Sequence, residues 1–303
     1  VTTQSDLLID DDELTLREAI QKANNSVGQD TITFDTSLSS SIIQLSASIN
    51  ITDDLTIKGL GPEELTVDAG GNSRVFLVDD GEFGNDMTTN VSISGLTISG
   101  GSATSSINGA GITNEENLIL KNSTISGNSQ TGDPGGGIGN YGTITIINST
   151  ISENYARNGG GGLANSGSAT IVNSTISGNT SEFSGGGISS ETYFSTTTII
   201  NSTISNNKAE SYGGGIVNGD GTLNLMNSTV SSNSAEDSGG GVFNRSSTTI
   251  SLGNNIIADN VANNQRNDFA NTSFGFGEQP EIQLTGTNLI EETSLSLTGI
   301  LTA

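Results

Sequence analysis

This 303-residue sequence predicts an all-β chain wound as a three-sided parallel β-helix, with an α-helix capping its N-terminal end. Two recurrences and one break in phase carry that prediction. Asn-Ser-Thr-Ile-Ser, with one Val variant, begins at Asn122, Asn148, Asn173, Asn201 and Asn227 and decays to Asn-Asn-Ile-Ile-Ala at Asn254, giving spacings of 26, 25, 28, 26 and 27. A glycine-rich element ending at Ile112, Ile138, Leu163, Ile188, Ile216 and Val242 keeps the same beat about ten residues earlier. Within a repeat, apolar residues alternate as in a half-buried strand and then step by five, as from Ile146 to Ile151. An odd step reverses the face of a continuous strand, so the chain must bend between the two residues. Asn148 sits at the bend, and Asn is the non-glycine residue that best tolerates a left-handed corner.

Each repeat therefore reads as three short strands: one at the Gly-Gly-Gly-Ile element, one at Thr-Ile-Thr-Ile and one at Ser-Thr-Ile-Ser. A period of about 26 residues is short for a four-stranded propeller blade and contains no helical spacing. A parallel β-helix fits, with each strand pairing to its counterpart one coil away, about 4.8 Å distant. The inward columns are then Ile112 to Val242, Leu120-Ile146-Ile171-Ile199-Leu225-Leu252 and Ile125-Ile151-Ile176-Ile204-Val230-Ile257. The corner residues Asn122, Asn148, Asn173, Asn201, Asn227 and Asn254 are expected to form a ladder of side-chain amides. A second ladder is expected at Asn128, Asn154, Asn179, Asn233 and Asn260. The Asn-x-Ser/Thr matches in these columns read as structural rather than as glycosylation acceptors.

An open solenoid end is an unpaired sheet edge that must be covered. Thr15-Leu-Arg-Glu18 is a capping box, followed by Leu16, Ala19, Ile20 and Ala23 on one helical face and Gly28 beyond. The expected layout is a single domain over 1–303, with a helical cap at 14–28, irregular first coils at 30–100, regular coils at 101–262 and an irregular C-terminal coil at 263–303. The start at Val1 and the lack of a second plug lead to the expectation of a segment from a longer chain.

Composition removes whole classes of function. Nine Lys and Arg against 33 Asp and Glu leave a charge of -24, which repels phosphate backbones and anionic lipid, so neither nucleic acid nor a membrane surface is expected as partner. No apolar run approaches the roughly 20 residues that span a bilayer, so no membrane insertion by this segment is expected. The absence of Cys and His excludes disulfides, thiolate and Ser-His-Asp nucleophile systems, and Cys or His metal ligands. Gly137-Ile-Gly-Asn-Tyr-Gly142 matches a dinucleotide pattern but has no following helix to hold a pyrophosphate. The glycine triplets also lack the Asp of calcium-binding nonapeptide repeats.

Several segments resemble a known family. Leu14-Thr-Leu-Arg-Glu-Ala-Ile20, Asp30-Thr-Ile-Thr-Phe34, Ile51 to Gly59 and Leu65-Thr-Val-Asp-Ala-Gly70 resemble the head of bacterial surface proteins with the CSLREA motif; Leu14 and Thr15 stand where the motif has Cys and Ser. The Gly-Gly-Gly-Ile and Asn-Ser-Thr-Ile-Ser-Gly-Asn repeats resemble their right-handed parallel β-helix, of the pectin-lyase-like superfamily and similar to polymorphic outer-membrane protein repeats. The resemblance implies a secreted or surface-exposed bacterial protein, with glycans or other proteins as partners.

The resulting expectation is a non-catalytic extracellular or cell-surface β-helix with a structural or adhesive role. The alternative is a polysaccharide lyase or hydrolase, or a calcium-assisted glycan-binding module. For lyase chemistry the candidates are Arg74, Asp79 and Asp80; no cofactor is expected other than calcium, at Asp79, Asp80, Glu82 and Asp86. The doublets Asp79-Asp80 and Glu115-Glu116 are poor catalytic pairs if they lie on strands, where neighbours point apart. The loops before the glycine triplets place Asp133, Glu182, Glu210, Glu236 and Asp237 at similar positions, with Tyr155, Phe183 and Tyr212 nearby. Stacked coils would bring these acids into one column, where calcium could bridge them, and the aromatics could stack on sugar rings; charged loops also keep a rod soluble.

Overall fold

The computed structural model describes residues 1–9, 12–81, 87–104, 109–245, 249–263, 265–272 and 281–291. Three principal parallel sheets wind around one apolar core. Among the described residues the first face has ten strands from Asp30–Thr33 to Glu281–Thr285, the second has ten from Ser41–Gln44 to Leu289–Ile290, and the third has nine from Ile49–Ile51 to Phe269–Thr272. One regular coil runs through Thr143–Ile147 on the first face, Thr150–Ser152 on the second and Leu163–Asn165 on the third. The three inward columns expected from the sequence are buried along their whole length. Among the described residues beyond 262, Phe269–Thr272, Glu281–Thr285 and Leu289–Ile290 add a strand to the third, first and second faces.

The coil has a further strand that the sequence pattern does not reveal. A narrow strip of eight two-residue strands, such as Tyr155–Ala156, lies between the second and third faces. Two residues are too few to display an alternation, and the inward positions hold small side chains such as Ala156, Ala209 and Ala235. The strip ends where Gln265–Arg266 folds back antiparallel on Val261–Ala262.

Helix α1 (Leu16–Asn24) begins at the expected capping box: the Glu18 amide donates to Thr15 Oγ1 at 3.1 Å and the Thr15 amide to Glu18 Oε2 at 3.0 Å. Leu16, Ala19, Ile20 and Ala23 are buried against the first coil. Arg17 grips Asp6 through two parallel bonds of 2.9 and 2.8 Å and donates to the Ser48 carbonyl at 3.0 Å, tying cap, N-terminal segment and first coil together.

The left-handed corners fall at Asn122, Asn148, Asn173, Asn201, Asn227 and Asn254, with φ between 46° and 57°. Their side chains do not make the continuous ladder expected of them. They are exposed, and among the described residues their mutual amide bonds are Asn148 to Asn122 at 3.4 Å and Asn254 to Asn227 at 3.3 Å. A left-handed corner turns Cβ outward, where water competes for the amide. The neighbouring serines bridge the coils instead: the amides of Ser123, Ser149, Ser174 and Ser202 each donate to the next coil's serine Oγ at 3.1 to 3.2 Å.

The buried ladder runs through Asn128, Asn154, Asn179, Asn207, Asn233 and Asn260. Each Oδ1 from Asn154 onward accepts both the backbone N–H and the Nδ2–H of the preceding rung, at 2.9 to 3.1 Å. Nδ2 also donates to a strand carbonyl of the preceding coil, such as Ile151 for Asn179 at 3.0 Å. A further buried ladder joins Asn114, Asn140 and Asn165, and resumes through Asn218, Asn244 and Asn271.

The first ladder ends on an acid. Asp268, fully buried, accepts the Asn260 amide and Nδ2 at Oδ1, both at 2.8 Å, while Oδ2 is buried with no partner. Burial raises the Asp268 carboxyl above its ordinary range; the Asn260 bonds oppose the shift and Glu291 and Asp259 add to it. A carboxyl raised in the folded state stabilises the fold fully below its unfolded value, about 3.9, and loses that contribution as pH rises through the folded value. An asparagine at 268 retains the acceptor and supplies the N–H of the other rungs. Asp268→Asn is expected to raise stability by about 1–2 kcal/mol at neutral pH, with the gain over wild type shrinking towards pH about 4. Thermal melts of both proteins across that range check this; a gain independent of pH contradicts it.

Candidate functional site: an aromatic cleft on the third face

The middle residue of each third-face strand points away from the core, because its two neighbours point inward. Along the stack these outward positions run Thr113, Gly139, Ala164, Ser189, Val217 and Phe243, in direct register. They are buried yet lie outside the continuous core.

Around Val217 and Phe243 lies a cleft of about 230 Å³, lined also by Phe183, Ser184, Tyr212, Glu191 and Arg245. The Tyr212 and Phe243 rings stack with centroids 4.7 Å apart and planes at 29°. Parallel bridges from Ser184 to Tyr212 and from Tyr212 to Ser238 fix the loop that carries the tyrosine. Phe183 is 53% exposed, an open aromatic surface on the wall. Across the cleft, Glu191 accepts from Ser189 Oγ at 3.1 Å, and Arg245 pairs with Asp220 at 3.5 Å. Tyr193 and Phe194, in edge contact at 6.1 Å, extend 77% and 92% exposed from the adjoining corner.

A fault in the repeat builds this corner. Two residues connect the third to the first face after Asn140 and after Asn165, whereas five, residues 191–195, follow Ser190. This insertion lengthens the Asn173 to Asn201 spacing to 28. Ser190 replaces the ladder asparagine, and its Oγ lies 2.9 Å from Ser195 Oγ at the base of the insertion. The substitution leaves Asn218 Oδ1 buried with no partner, since the rung before it has no amide to offer. Local rules broken at one coil are the expected signature of a functional position.

The structure distributes the loop residues differently from the expected single column. Phe183 and Tyr212 line the cleft. Tyr155 donates through its hydroxyl to Glu182, which also pairs with Arg157 at 3.8 Å, so this trio clamps adjacent coils. Burial and the Glu182 bond raise the Tyr155 phenol to about 12. Glu210, Glu236 and Asp237 are exposed on the wall loops, and Asp133 is half-buried on an earlier coil outside the cleft. Among the described residues, no three of these acids converge on a point where one ion would sit. Sequence reasoning missed Glu191, Tyr193, Phe194 and Phe243; the long spacing and the Tyr-Phe doublet within it were the available signals.

A second group lies at an earlier corner. Asp79-Asp80 and Glu115-Glu116 follow third-face strands ending at Val78 and Asn114, so both doublets occupy turns and stack in adjacent coils. Asp79, Asp80 and Glu116 offer oxygens within 4.8 Å of one another, a set that could hold a hard cation such as calcium. Glu82 and Asp86 lie outside the described residues. Thr88 and Thr89 donate to Asp80 Oδ2 at 3.2 and 3.4 Å, and the Thr89 amide donates to buried Glu116 at 3.3 Å. Burial raises both Glu115 and Glu116, with neighbouring aspartates adding to the shift. Arg74 donates from Nε to the Gly109 carbonyl at 2.8 Å, and burial lowers its guanidinium while Glu115 and Tyr141 oppose the shift. A larger cavity of about 340 Å³ under the cap, between Leu14, Lys22 and Ile32, is the joint between helix and first coil.

The orphaned Asn218 oxygen gives a direct check on the fault. Ser190→Asn restores the missing rung and is expected to stabilise the chain by about 1 kcal/mol, measured by denaturant unfolding. A destabilised variant would contradict the ladder account of this coil.

The family model described as right handed beta helix region matches residues 82–257. Among solved structures, the crystal structure of PfbA, a surface adhesin of Streptococcus pneumoniae, is similar with 12% identity and a TM-score of 0.45, over 91% of this chain and 86% of that chain. No curated protein matches. The family match spans more than half of the 303 residues and takes in the regular coils together with the aromatic cleft, so the chain belongs to the right-handed β-helix family.

Proposed function

We propose that this chain is a structural and adhesive module of a bacterial cell surface, and that it retains glycans in the third-face cleft. The observation that carries the reading is the cleft: exposed Phe183 beside the stacked Tyr212 and Phe243, with Glu191 and Arg245 at its edge. Aromatic faces against the apolar faces of a sugar ring, with a few polar groups fixing orientation, are the usual means of holding a carbohydrate. All four tyrosines fall between residues 141 and 212, which concentrates the scarce aromatic surface of the chain in these coils. The resemblance of the head segment to surface proteins supports the location. No helix among the described residues is long and apolar enough to cross a membrane.

A second reading, cleavage of the glycan, has the acidic corner in its favour. Three close carboxyl groups, one of them the buried and raised Glu116, offer an acid beside a carboxylate, the pairing that glycoside hydrolysis uses. Calcium bound there would instead brace the corner.

One experiment addresses both readings. The chain is incubated with a panel of insoluble and soluble polysaccharides, with calcium and with chelator, while retention and new reducing ends are followed. Retention without new ends is the expected result. Phe183→Ala, at an exposed position, is expected to weaken retention about tenfold, equivalent to about 1.4 kcal/mol, with an unchanged melt. New reducing ends contradict the non-catalytic reading, and retention that ignores Phe183→Ala contradicts the cleft.

A further inference from the structure

We infer that the third-face cleft selects sugars carrying a free ammonium group, of the glucosamine type, and rejects uronic acids. The inference rests on the glycan reading above and adds the sign of charge that the site takes. Glu191 is the carboxylate that lines the cleft, held by Ser189 Oγ at 3.1 Å, so it stands at a defined position with acceptor capacity to spare. Arg245, the cation of the lining, already faces Asp220 at 3.5 Å, which offsets its attraction for an incoming carboxylate.

The aromatic lining works in the same direction. The faces of Phe183 and Tyr212 carry the negative lobe of the ring quadrupole, which attracts an ammonium within about 6 Å and repels a carboxylate. Exposed Glu210, Glu236 and Asp237 on the wall loops add negative potential, and the whole chain at -24 does the same at longer range. Arg157, on the same wall, is paired with Glu182. An amine on a sugar ring stacked against Phe183 or Tyr212 would therefore meet aromatic faces and the Glu191 carboxylate together. A carboxylate in that place would meet Arg245, already facing Asp220, as the one cation of the lining.

The test uses three oligosaccharides of equal length, built from glucosamine, N-acetylglucosamine and galacturonic acid, titrated calorimetrically into the full chain at a pH where the amine is charged. The glucosamine oligomer is expected to bind at least about tenfold more tightly than its acetylated counterpart, and the galacturonate oligomer to bind most weakly. Raising the salt should erode the amine preference, since the charges are partly exposed. Glu191→Gln should bring the amine oligomer down to the affinity of the acetylated one. Equal binding of amine and acetylated oligomers, or tightest binding of galacturonate, overturns the charge selection and leaves the glycan reading standing. Binding of none of the three, together with silence across the wider panel, overturns the glycan reading itself.

Discussion

From Asn128 to Asn260, register between coils is tied to the buried asparagine ladder. Strands of three residues, as on the second and third faces, have few backbone bonds each and could slip by a residue, which would turn the inward isoleucines to solvent. The ladder opposes slippage because each amide is buried and must find its two acceptors and two donors at one position. Moving a coil by one residue would replace an amide with an apolar or charged side chain and leave polar atoms unpaired, which costs more than the bonds contribute when made. The strand lengths, the left-handed corners and the stacked isoleucine columns all follow once that register is held.

The ladder also explains why loop length is free to vary. Coils of 25 to 28 residues coexist because the fixed points are the rungs and columns, while connections between them bulge outward. The chain uses this freedom in the coil of Ser190. There Ser190 breaks the second ladder, residues 191–195 are inserted, and Phe183, Tyr212 and Phe243 from three successive coils meet in a cleft. The structural defect and the aromatic cleft coincide: the coil that lacks the amide rung is the one whose corner has a different shape. Outward positions on the other two faces mix Thr and Ser with exposed aliphatic residues such as Ile42, Ile119 and Met226.

The fold was legible from the sequence because solenoid stacking repeats the same physical demand in every coil. Ile125, Ile151 and Ile176 face the same surroundings, so they remain similar and their spacing gives the architecture. Asn148 was legible as a corner from the break in apolar phase, but not as an exposed side chain, because phase says nothing about which way a left-handed residue points. Asn207 was hidden by its neighbour Asn206, since either could occupy the rung. The Asn114 column was overlooked beside the more conspicuous glycines, although an asparagine follows Ile112, Ile138, Leu163, Ile216 and Val242 by two. The cleft was mostly illegible: it joins residues that occupy different repeat positions, and only their stacking distance of one coil relates Phe183, Tyr212 and Phe243. The acidic corner was half legible, since the doublets were visible but their placement on turns was not.

Native-state hydrogen exchange, read residue by residue, tests the ladder most directly. The backbone amides of Asn128, Asn154, Asn179, Asn207 and Asn233, each bonded to the next rung, should exchange only through global unfolding. Amides of the 191–194 insertion should exchange far faster, through local opening beside the broken rung. Ladder amides that exchange as readily as the insertion would contradict the account, because the coils would then be held in register by something other than the buried asparagines.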